Sequence, residues 1–384
     1  MENLTGKKIA VAILSLSLLT VMAGAAVAPA LNVIQEYFRD ANRTLVQMII
    51  SIPALFIALT SLIFPKLCSV FKFRTLVLIG LFLYVFGGCI AGMFNNIYIV
   101  LVFRAIVGIG VGIIMPLSTG LLAFYFSPNQ QDKLMGYSSA MNQMGGVTAT
   151  LISGILAGIS WRASFLVYLM GLFSIVLCIL FLPNDRIGNH EKTVDSGEKT
   201  GFFGKYFIFA ASMFLLMFTF FVYPSSFAME TVKDNIIPQR YIAVIMAGMD
   251  LIAFLGGLSF VYIKRQFGNL TKFIAPILFL AGYILLFALK GWSGTIIGSV
   301  LIGFANGLGI PFIISAASRR AGKTAASTVM PMISASMYCA QFLTPIILSL
   351  PTAVFGENTI NHLPYAAAGF SALIFAVVSI KLKD

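Results

Sequence analysis

The chain has 384 residues, of which 59% are hydrophobic and only 10% are charged. An ordinary soluble domain carries about 25% charged residues, so this composition excludes a soluble enzyme of two or three domains. The mean hydropathy of +0.97 instead fits a chain whose surface mostly faces lipid.

Twelve apolar segments follow one another along the chain, each close to the roughly 20 residues that a spanning helix needs. They cover residues 9–33, 45–64, 75–94, 97–126, 134–159, 164–182, 205–227, 241–263, 273–289, 295–317, 326–354 and 363–380. A polar stretch over residues 183–204 separates the sixth segment from the seventh. The sequence therefore predicts an all-α membrane protein in which two bundles of six helices, residues 1–182 and 205–384, are joined by a cytoplasmic linker.

The net charge of +12 would suit a nucleic-acid-binding protein if the Lys and Arg residues formed one basic face. They lie instead in short clusters between the apolar segments, which is typical of cytoplasmic loops. With the N-terminus inside, eighteen of the 25 basic residues fall on the cytoplasmic side, six fall outside and Arg104 lies within a segment. This bias predicts a multi-pass protein of the inner or plasma membrane, with both termini in the cytoplasm and no nucleic-acid partner.

The first segment has a second interpretation, because a basic pair before an apolar run also occurs in cleaved secretory signals. Lys7 and Lys8 precede this run, and small residues follow it. The run is longer than the usual signal core, and Pro29 directly after Ala28 disfavours cleavage. We therefore expect a spanning helix here.

The residue types that bind metals are too few and too scattered to form a site. They include Cys68, Cys89, Cys178, Cys339, His190 and His362. No CxxC or Cys/His spacing is present, so we expect neither a metal nor a disulfide framework. No Walker motif and no His/Asp/Glu cluster is visible either, so we expect no cofactor, no ATP drive and no enzyme activity.

Matching residue patterns in the two halves indicate an internal repeat. The fourth segment has Arg104, Gly108, Gly110 and Gly112, and the tenth has Gly303, Gly307, Gly309 and Pro311, 199 positions later. In the same way Ser138, Met141 and Thr148 of the fifth segment correspond to Ser334, Met337 and Thr344 of the eleventh, 196 positions later. Repeated halves are the architecture of many secondary transporters, whose substrate site lies between the repeats.

Five short motifs fall in a fixed order on these segments. Residues 29–34 read PALNVI, the loop 65–74 ends in Lys72 and Arg74, Arg104 precedes Gly108 and Gly110, Gly145 and Gly154 lie in the fifth segment, and residues 161–165 read WRASF. Together they resemble the major facilitator superfamily, and within it the twelve-helix drug:proton antiporter branch. The chain departs from the branch at Ser69, which replaces an acid, and at Ala149-Thr150, which replaces a Gly-Pro pair.

This resemblance covers essentially the whole chain and implies two pseudo-symmetric six-helix bundles, the major facilitator fold. It assigns Lys72 and Arg74 to a gating loop. Glycines such as Gly108 and Gly110 resemble a dinucleotide-binding loop only superficially, since no strand precedes them. We interpret them, with Gly145 and Gly154, as positions where helices pack closely in lipid.

Arg104 and Asp250 are the only ionisable residues deep within the predicted segments, and we place the other acids in loops or at segment ends. A charge at the centre of a spanning helix costs at least about 2.5 kcal/mol, so each is a candidate functional residue. Asp250 lies near the middle of its segment and would carry the coupled proton. Arg104 would control a proton relay or attract an anionic substrate. The structural alternatives are an Arg104 held by backbone carbonyls and an Asp250 that only partners nearby polar groups.

Polar side chains on the predicted cavity helices complete the set of candidate substrate-binding residues. With Arg104 they are Asn142, Gln143, Asn306, Tyr338 and Gln341. Such groups orient a ligand, but they also hold helices together. The first segment contains no acid, whereas cation exporters of the resembled branch often have a membrane acid in the N-terminal half. Neutral or anionic amphipathic substrates are therefore favoured.

These features predict a monomeric, proton-coupled secondary transporter that exports small amphipathic or drug-like molecules by alternating access. Its partners would be a small-molecule substrate, protons and the lipid bilayer. One alternative is an uptake permease or symporter for a small organic anion or metabolite, in which Arg104 binds the substrate. An alternative of another class is a non-transporting membrane sensor or scaffold, which would tolerate substitution of Arg104 and Asp250.

Overall fold

The structure is a computed structural model that describes residues 2–184, 202–233, 236–355 and 362–382. Within these residues the regular elements are all helices and no strand occurs. Contacts divide the chain into two compact units, Met1–Lys192 and Thr193–Asp384. Most of the predicted linker, residues 185–201, lies outside the described part of the chain.

The first unit contains seven α-helices and two 3-10 helices in its described residues. The α-helices are α1 Glu2–Ala25, α2 Leu31–Tyr37, α3 Arg43–Val70, α4 Phe73–Ala91, α5 Ile97–Tyr125, α6 Pro128–Ala157 and α7 Met170–Phe181. The 3-10 helices are Ala28–Ala30 and Ala163–Leu169. Helix α5 packs against α3 and α4, and α1 packs against α6.

The second unit contains five α-helices and one 3-10 helix in its described residues. The α-helices are α8 Phe202–Lys233, α9 Gln239–Phe267, α10 Thr271–Ala288, α11 Trp292–Phe355 and α12 Leu363–Ile380, and the 3-10 helix is Gly268–Leu270. Helix α11 packs against α8, α9 and α10. The contacts of α11 with α9 and α10 correspond to those of α5 with α3 and α4, as the internal repeat requires.

Local residues set several helix ends. The side chain of Asn42 accepts a hydrogen bond from the Thr44 amide at the start of α3, and Asn96 does the same for the Tyr98 amide at the start of α5. These caps satisfy amides that the first helical turn leaves without a partner. At the end of α9 the backbone turns at Gly268 with φ +50, a conformation that favours glycine.

Two predicted segments are interrupted. The first ends as an α-helix at Ala25, passes through a 3-10 turn that contains Pro29, and resumes as α2. Proline tolerates the first positions of a helix but cannot donate to the preceding turn, so it separates α1 from α2. The sixth begins with seven residues of 3-10 helix, Ala163–Leu169, and becomes α-helical only at Met170.

Ten stretches of the described residues are long and apolar enough to cross a membrane. One of them, Gln239–Ala288, contains both α9 and α10. Helix α6 is not among the ten because its first turns and its middle are polar. Each of the twelve predicted segments overlaps one of these stretches or α6, so the prediction of an all-α multi-pass membrane protein is confirmed.

The prediction of a loop between the tenth and eleventh segments is wrong. Helical backbone continues through residues 318–325, and α11 runs without a break from Trp292 to Phe355. The residues there are mostly alanine, arginine, lysine and threonine, with one glycine, Gly322, and no proline. Alanine, arginine and lysine favour helix. The basic residues therefore mark a boundary between two apolar spans without ending the helix.

Glycines let the helices of each unit approach closely at equivalent places. A Cβ added to Gly108 in α5 would lie 2.5 Å from the Pro53 carbonyl oxygen of α3. A Cβ on Gly307, its counterpart in α11, would lie 1.9 Å from the Ala253 carbonyl oxygen of α9. Because real side chains do not approach backbone this closely, both positions require glycine, and the matching contacts confirm the pseudo-symmetry predicted from the sequence.

We expect Gly145→Ala in α6 to destabilise the first unit. The new Cβ would lie 1.9 Å from the Leu18 carbonyl oxygen, so α1 and α6 would have to separate. Overpacking of this kind costs about 1–3 kcal/mol or more. The measurement is the unfolding temperature of the purified protein in detergent. Gly136→Ala in the same helix is the matched control because no atom lies within 4 Å of its added Cβ, and equal temperatures for the two variants would contradict the prediction.

Candidate functional site

Arg104 lies in α5 and its side chain is completely buried. Its Nε donates to the Ile49 carbonyl oxygen of α3 at 2.7 Å, and its Nη2 donates to the Ala23 carbonyl oxygen of α1 at 2.5 Å. Its Nη1 donates to the hydroxyl of Tyr168, which lies in the 3-10 helix before α7. The Tyr168 hydroxyl in turn donates to the Ala23 carbonyl oxygen at 2.9 Å. One guanidinium therefore connects four elements of the first unit.

The two carbonyls that receive Arg104 are ones that helical hydrogen bonding leaves without a donor. Ile49 lies four residues before Pro53 in α3, and proline has no N–H to bond that carbonyl. Ala23 lies in the last turn of α1, where carbonyl groups lack a partner within the helix. These acceptors stabilise a charge that would otherwise be costly to bury, and they match the structural interpretation of Arg104 more closely than the substrate-binding one.

Asp250 lies in α9, eleven residues after its start at Gln239, or about 16 Å along the axis. Its side chain is half-buried and lies within electrostatic range of Tyr223 in α8. The Tyr223 hydroxyl forms a hydrogen bond with the Ser299 hydroxyl of α11 at 2.7 Å. Asp250 thus lies near the middle of α9, within electrostatic range of a buried polar pair.

The two units differ in charge at equivalent positions of the repeat. Gly303 takes the place of Arg104, and its added Cβ would lie 2.4 Å from the Met249 carbonyl oxygen of α9. The second unit therefore has backbone contact where the first unit has a buried guanidinium. The carboxyl-bearing Asp250 follows Met249 directly in α9.

The predicted substrate-binding residue Asn142 lies at the contact between α1 and α6. Its Oδ1 accepts a hydrogen bond from the Thr20 hydroxyl at 2.5 Å, and one turn earlier Ser17 and Ser138 form a hydrogen bond at 2.7 Å. This part of α6 holds the two helices together, and Gln143 follows it as a half-buried residue. The structure therefore gives Asn142 a packing role within the first unit.

The three candidates in the second unit all lie in α11 and are at least nine-tenths buried: Asn306, Tyr338 and Gln341. The Asn306 Oδ1 is buried and has no hydrogen-bond partner among the described residues. Buried side-chain oxygens in proteins almost always have a donor. Of the predicted polar set, Asn306 is thus the residue whose hydrogen-bonding capacity remains available to a ligand or to water.

The predicted gating residues lie at the start of α4. Lys72 is the exposed residue before the helix, and Arg74 donates to the Ile179 carbonyl oxygen near the end of α7 at 2.5 Å. Arg74 therefore ties α4 to α7 within the first unit. The side chain of Ser69 lies outside the described part.

The structure also shows a buried ionisable pair that the sequence interpretation missed. Glu230 was placed outside the seventh segment, but α8 continues to Lys233 and only 2% of Glu230 is exposed. Its Oε2 lies 2.9 Å from Nδ1 of His362, the residue before α12. The placement of Glu230 among the acids of loops and segment ends is therefore corrected, because its side chain is buried. Only the position of Glu230 three residues beyond an apolar run hinted at this burial, and nothing in the sequence pairs it with His362.

No group of three or more His, Cys, Asp or Glu residues that could hold a metal ion occurs among the described residues. Their buried ionisable groups are instead distributed singly or as a pair.

Several known proteins are similar to this chain in sequence. The Riboflavin transporter RibZ of Clostridioides difficile is 26% identical over 40% of this chain and 34% of its own length. The Quinolone resistance protein NorA of Staphylococcus aureus is 29% identical over 32% of this chain and 31% of its own. Multidrug resistance protein 3 of Bacillus subtilis is 25% identical over 35% of this chain and 27% of its own. The chain thus spans about a third of the length of these curated relatives.

The fold is shared over nearly the whole length with solved transporter structures. The nucleoside transporter NupG superposes with a TM-score of 0.80 at 10% identity, over 97% of this chain and 98% of that one. A D-xylose-proton symporter gives 0.73 at 14% identity, over 98% of each chain. At this identity the similarity establishes the fold alone.

The sequence model of the Major Facilitator Superfamily matches residues 13–345, which is most of the chain. The match includes α3 to α10 and nearly all of the residues discussed above. The protein therefore belongs to the Major Facilitator Superfamily and is a multi-pass membrane protein.

Proposed function

We propose that this transporter uses the proton gradient to export small amphipathic molecules across the cell membrane by alternating access, with both termini in the cytoplasm. The observation that carries the coupling is Asp250, a half-buried carboxyl near the middle of α9 and within electrostatic range of the buried Tyr223. Export is supported by the relatives named for quinolone and multidrug resistance.

One carboxyl supplies enough coupling for such a transporter. A proton that enters down about 100 mV releases about 2.3 kcal/mol. At about 1.4 kcal/mol per tenfold ratio, this supports roughly 50-fold accumulation of a neutral substrate. Asp250 takes up a proton while its site is open to the outer side, keeps it while the site is closed to water because burial disfavours the charged carboxylate, and releases it when the site opens to the cytoplasm.

Arg104 has a structural role in this proposal. Its three hydrogen bonds hold α1, α3 and the 3-10 helix Ala163–Leu169 against α5. To bind an anionic substrate, the guanidinium would have to leave at least some of these acceptors, which would leave buried carbonyls without a donor. The substrate instead meets polar groups such as Asn306, whose Oδ1 is free to accept a hydrogen bond.

The second candidate function is uptake of a small organic metabolite. It is favoured by the similarity to a relative named as a riboflavin transporter. In this case the proton and the substrate would move in the same direction. A proton-binding Asp250 is compatible with export and with uptake, so the direction of substrate transport has to be measured.

The test uses inverted membrane vesicles that contain the full chain and carry an imposed pH gradient, acidic inside. We expect a quinolone or another amphipathic export substrate to dissipate the gradient as protons leave in exchange for its entry. Riboflavin, offered in the same way, tests the metabolite candidate. Vesicles with Glu36→Gln are the control, since Glu36 is an exposed carboxyl that binds the Asn32 side chain.

The outcomes separate the proposals. Dissipation by an amphipathic compound supports the exporter. Dissipation that occurs only in right-side-out vesicles under an inward gradient supports uptake. Absence of substrate-dependent proton movement in either orientation, together with measurable substrate flux, contradicts proton coupling. A sensor or scaffold would show no flux of any compound.

A further inference from the structure

Asn306 in α11 has a buried hydrogen-bond acceptor that the protein itself does not use. Its side chain is 8% exposed, and its Oδ1 receives no hydrogen bond within the part of the chain that the structure describes. A buried oxygen of this kind is rare in proteins, because leaving it without a donor costs free energy. We propose that this oxygen is the contact that determines substrate specificity, and that it selects uncharged molecules with an amide or imide N–H, such as lactams and cyclic imides.

Helical periodicity places Asn306 on the face of α11 that packs against α8. Ser299, seven residues earlier on α11, forms a hydrogen bond with the Tyr223 hydroxyl of α8 at 2.7 Å. Gly309, three residues later, lies against α8, since a Cβ added to it would be 2.3 Å from the Leu216 side chain. Positions three and seven residues apart share one face of an α-helix. Asn306 therefore lies between these two contacts with α8.

The hydroxyl groups along this contact already donate elsewhere. The Ser299 hydroxyl donates to the Thr295 carbonyl oxygen at 2.7 Å, so the Tyr223 hydroxyl is the donor in its bond with Ser299. Thr219, the one polar residue between Leu216 and Tyr223 on α8, donates to a carbonyl oxygen of its own helix at 2.7 Å. A hydroxyl has a single proton to donate. The Asn306 oxygen is therefore available to a donor from outside the protein.

The pseudo-symmetry of the chain shows that the fold does not need an amide here. The position equivalent to Asn306 in the first unit, 199 residues earlier, is Val107 of α5. Val107 is completely buried, so an apolar side chain satisfies the packing at this point of the repeat. A polar group at a position that packing fills with an apolar one points to a function other than stability.

The neighbouring part of α8 favours an uncharged and largely apolar substrate. Residues 217–222 read MFTFFV. Among such side chains a cation would lose its hydration and gain only a neutral carbonyl dipole, which is unfavourable. The carboxyl of Asp250 is committed to the proton in the proposed function, on which this assignment of substrate class rests. A neutral N–H needs a single acceptor, and a lactam or imide presents it at the edge of an otherwise apolar ring.

The first test measures stability in the absence of substrate. Asn306→Leu replaces the amide by an apolar group of similar size, and we expect the unfolding temperature in detergent to stay unchanged or to rise, because an unused buried acceptor is removed. Asn142→Leu is the matched comparison and is expected to lower this temperature, since Asn142 accepts a hydrogen bond from the Thr20 hydroxyl. An equal fall in both variants would make Asn306 a structural residue and overturn the proposal.

The second test measures equilibrium binding to the full chain in detergent, without a proton gradient. The probes are riboflavin, 2-quinolone and phthalimide, each compared with the derivative in which a methyl group replaces the ring N–H. We expect at least one N–H compound to bind about tenfold more tightly than its methylated partner, the effect of about one hydrogen bond, and Asn306→Leu to abolish this ratio. Asn269→Leu is the control, because Asn269 is exposed.

Two results of the binding test would overturn the proposal. One is equal affinity within every pair, including no binding of either compound. The other is a ratio that persists in Asn306→Leu, which would assign the preference to the size of the methyl group rather than to the hydrogen bond.

The binding test and the vesicle test keep the failures apart. If vesicles exchange an amphipathic compound for protons but binding ignores the N–H and Asn306, this inference fails and the proposed function stands. If Asn306 selects N–H compounds but none of them moves protons, the binding site stands and the proposed coupling fails.

Discussion

Arg104→Lys is expected to destabilise the first unit by about 3 kcal/mol and to reduce transport at least tenfold, even though the charge is retained. The guanidinium donates to Ile49, Ala23 and Tyr168 from three different nitrogens. A lysine ammonium is a compact group on a flexible stem and cannot reproduce this planar arrangement. At least one buried acceptor would then lose its donor, which costs about 1–3 kcal/mol for each group left unsatisfied.

The measurements are the unfolding temperature in detergent and the rate of substrate flux in vesicles. Arg265→Lys is the matched control because Arg265 is exposed near the end of α9. Tyr168→Phe removes one partner of the guanidinium and is expected to give a smaller loss of stability. If Arg104→Lys retains wild-type stability but loses substrate binding, Arg104 contacts the substrate and its structural role is wrong.

Asp250→Asn is expected to abolish proton-driven accumulation while the protein still folds and exchanges substrate. The amide keeps the size and hydrogen-bonding capacity of the carboxyl but cannot take up a proton. Accumulation should therefore fall from roughly 50-fold to no gradient, the full contribution of one proton at about 100 mV. Counterflow, the exchange of labelled for unlabelled substrate across the membrane, should continue because it needs no net proton movement.

Glu36→Gln provides the control for loss of a carboxyl in general, since Glu36 is exposed. Gradient-driven accumulation that persists in Asp250→Asn would move the coupling role to another group. The double variant Asp250→Asn with Glu230→Gln then tests whether the buried carboxyl of Glu230 performs the coupling. Loss of counterflow in Asp250→Asn would instead mean that this residue binds substrate.

Composition and periodicity determined the fold class because the bilayer imposes a simple requirement. Every spanning segment must be apolar and must satisfy its own backbone hydrogen bonds, so a membrane helix is visible in the sequence as a long apolar run. The repeat was visible for a related reason. Glycines such as Gly108 and Gly307 are needed where helices touch, and equivalent contacts in the two units require the same residue type at the same spacing.

The sequence also identified Arg104 as exceptional, since a charge in an apolar run is costly wherever it points. It did not identify what the charge contacts. The acceptors are backbone carbonyls of Ile49 and Ala23, which carry no residue identity, and they are available because Pro53 and the end of α1 leave them without donors. Only the packing of α1 and α3 against α5 brings these groups together.

Two features of the structure were not predicted from the sequence, and the second was decided by tertiary structure alone. Helix α11 continues through a basic stretch because its residues favour helix, and charge indicates a membrane boundary without indicating where a helix ends. Glu230 and His362 are 132 positions apart, and each looks like an ordinary polar residue at the end of a segment. Their pairing depends on how α8 and α12 pack side by side, and no local pattern encodes a contact between residues so far apart in the chain.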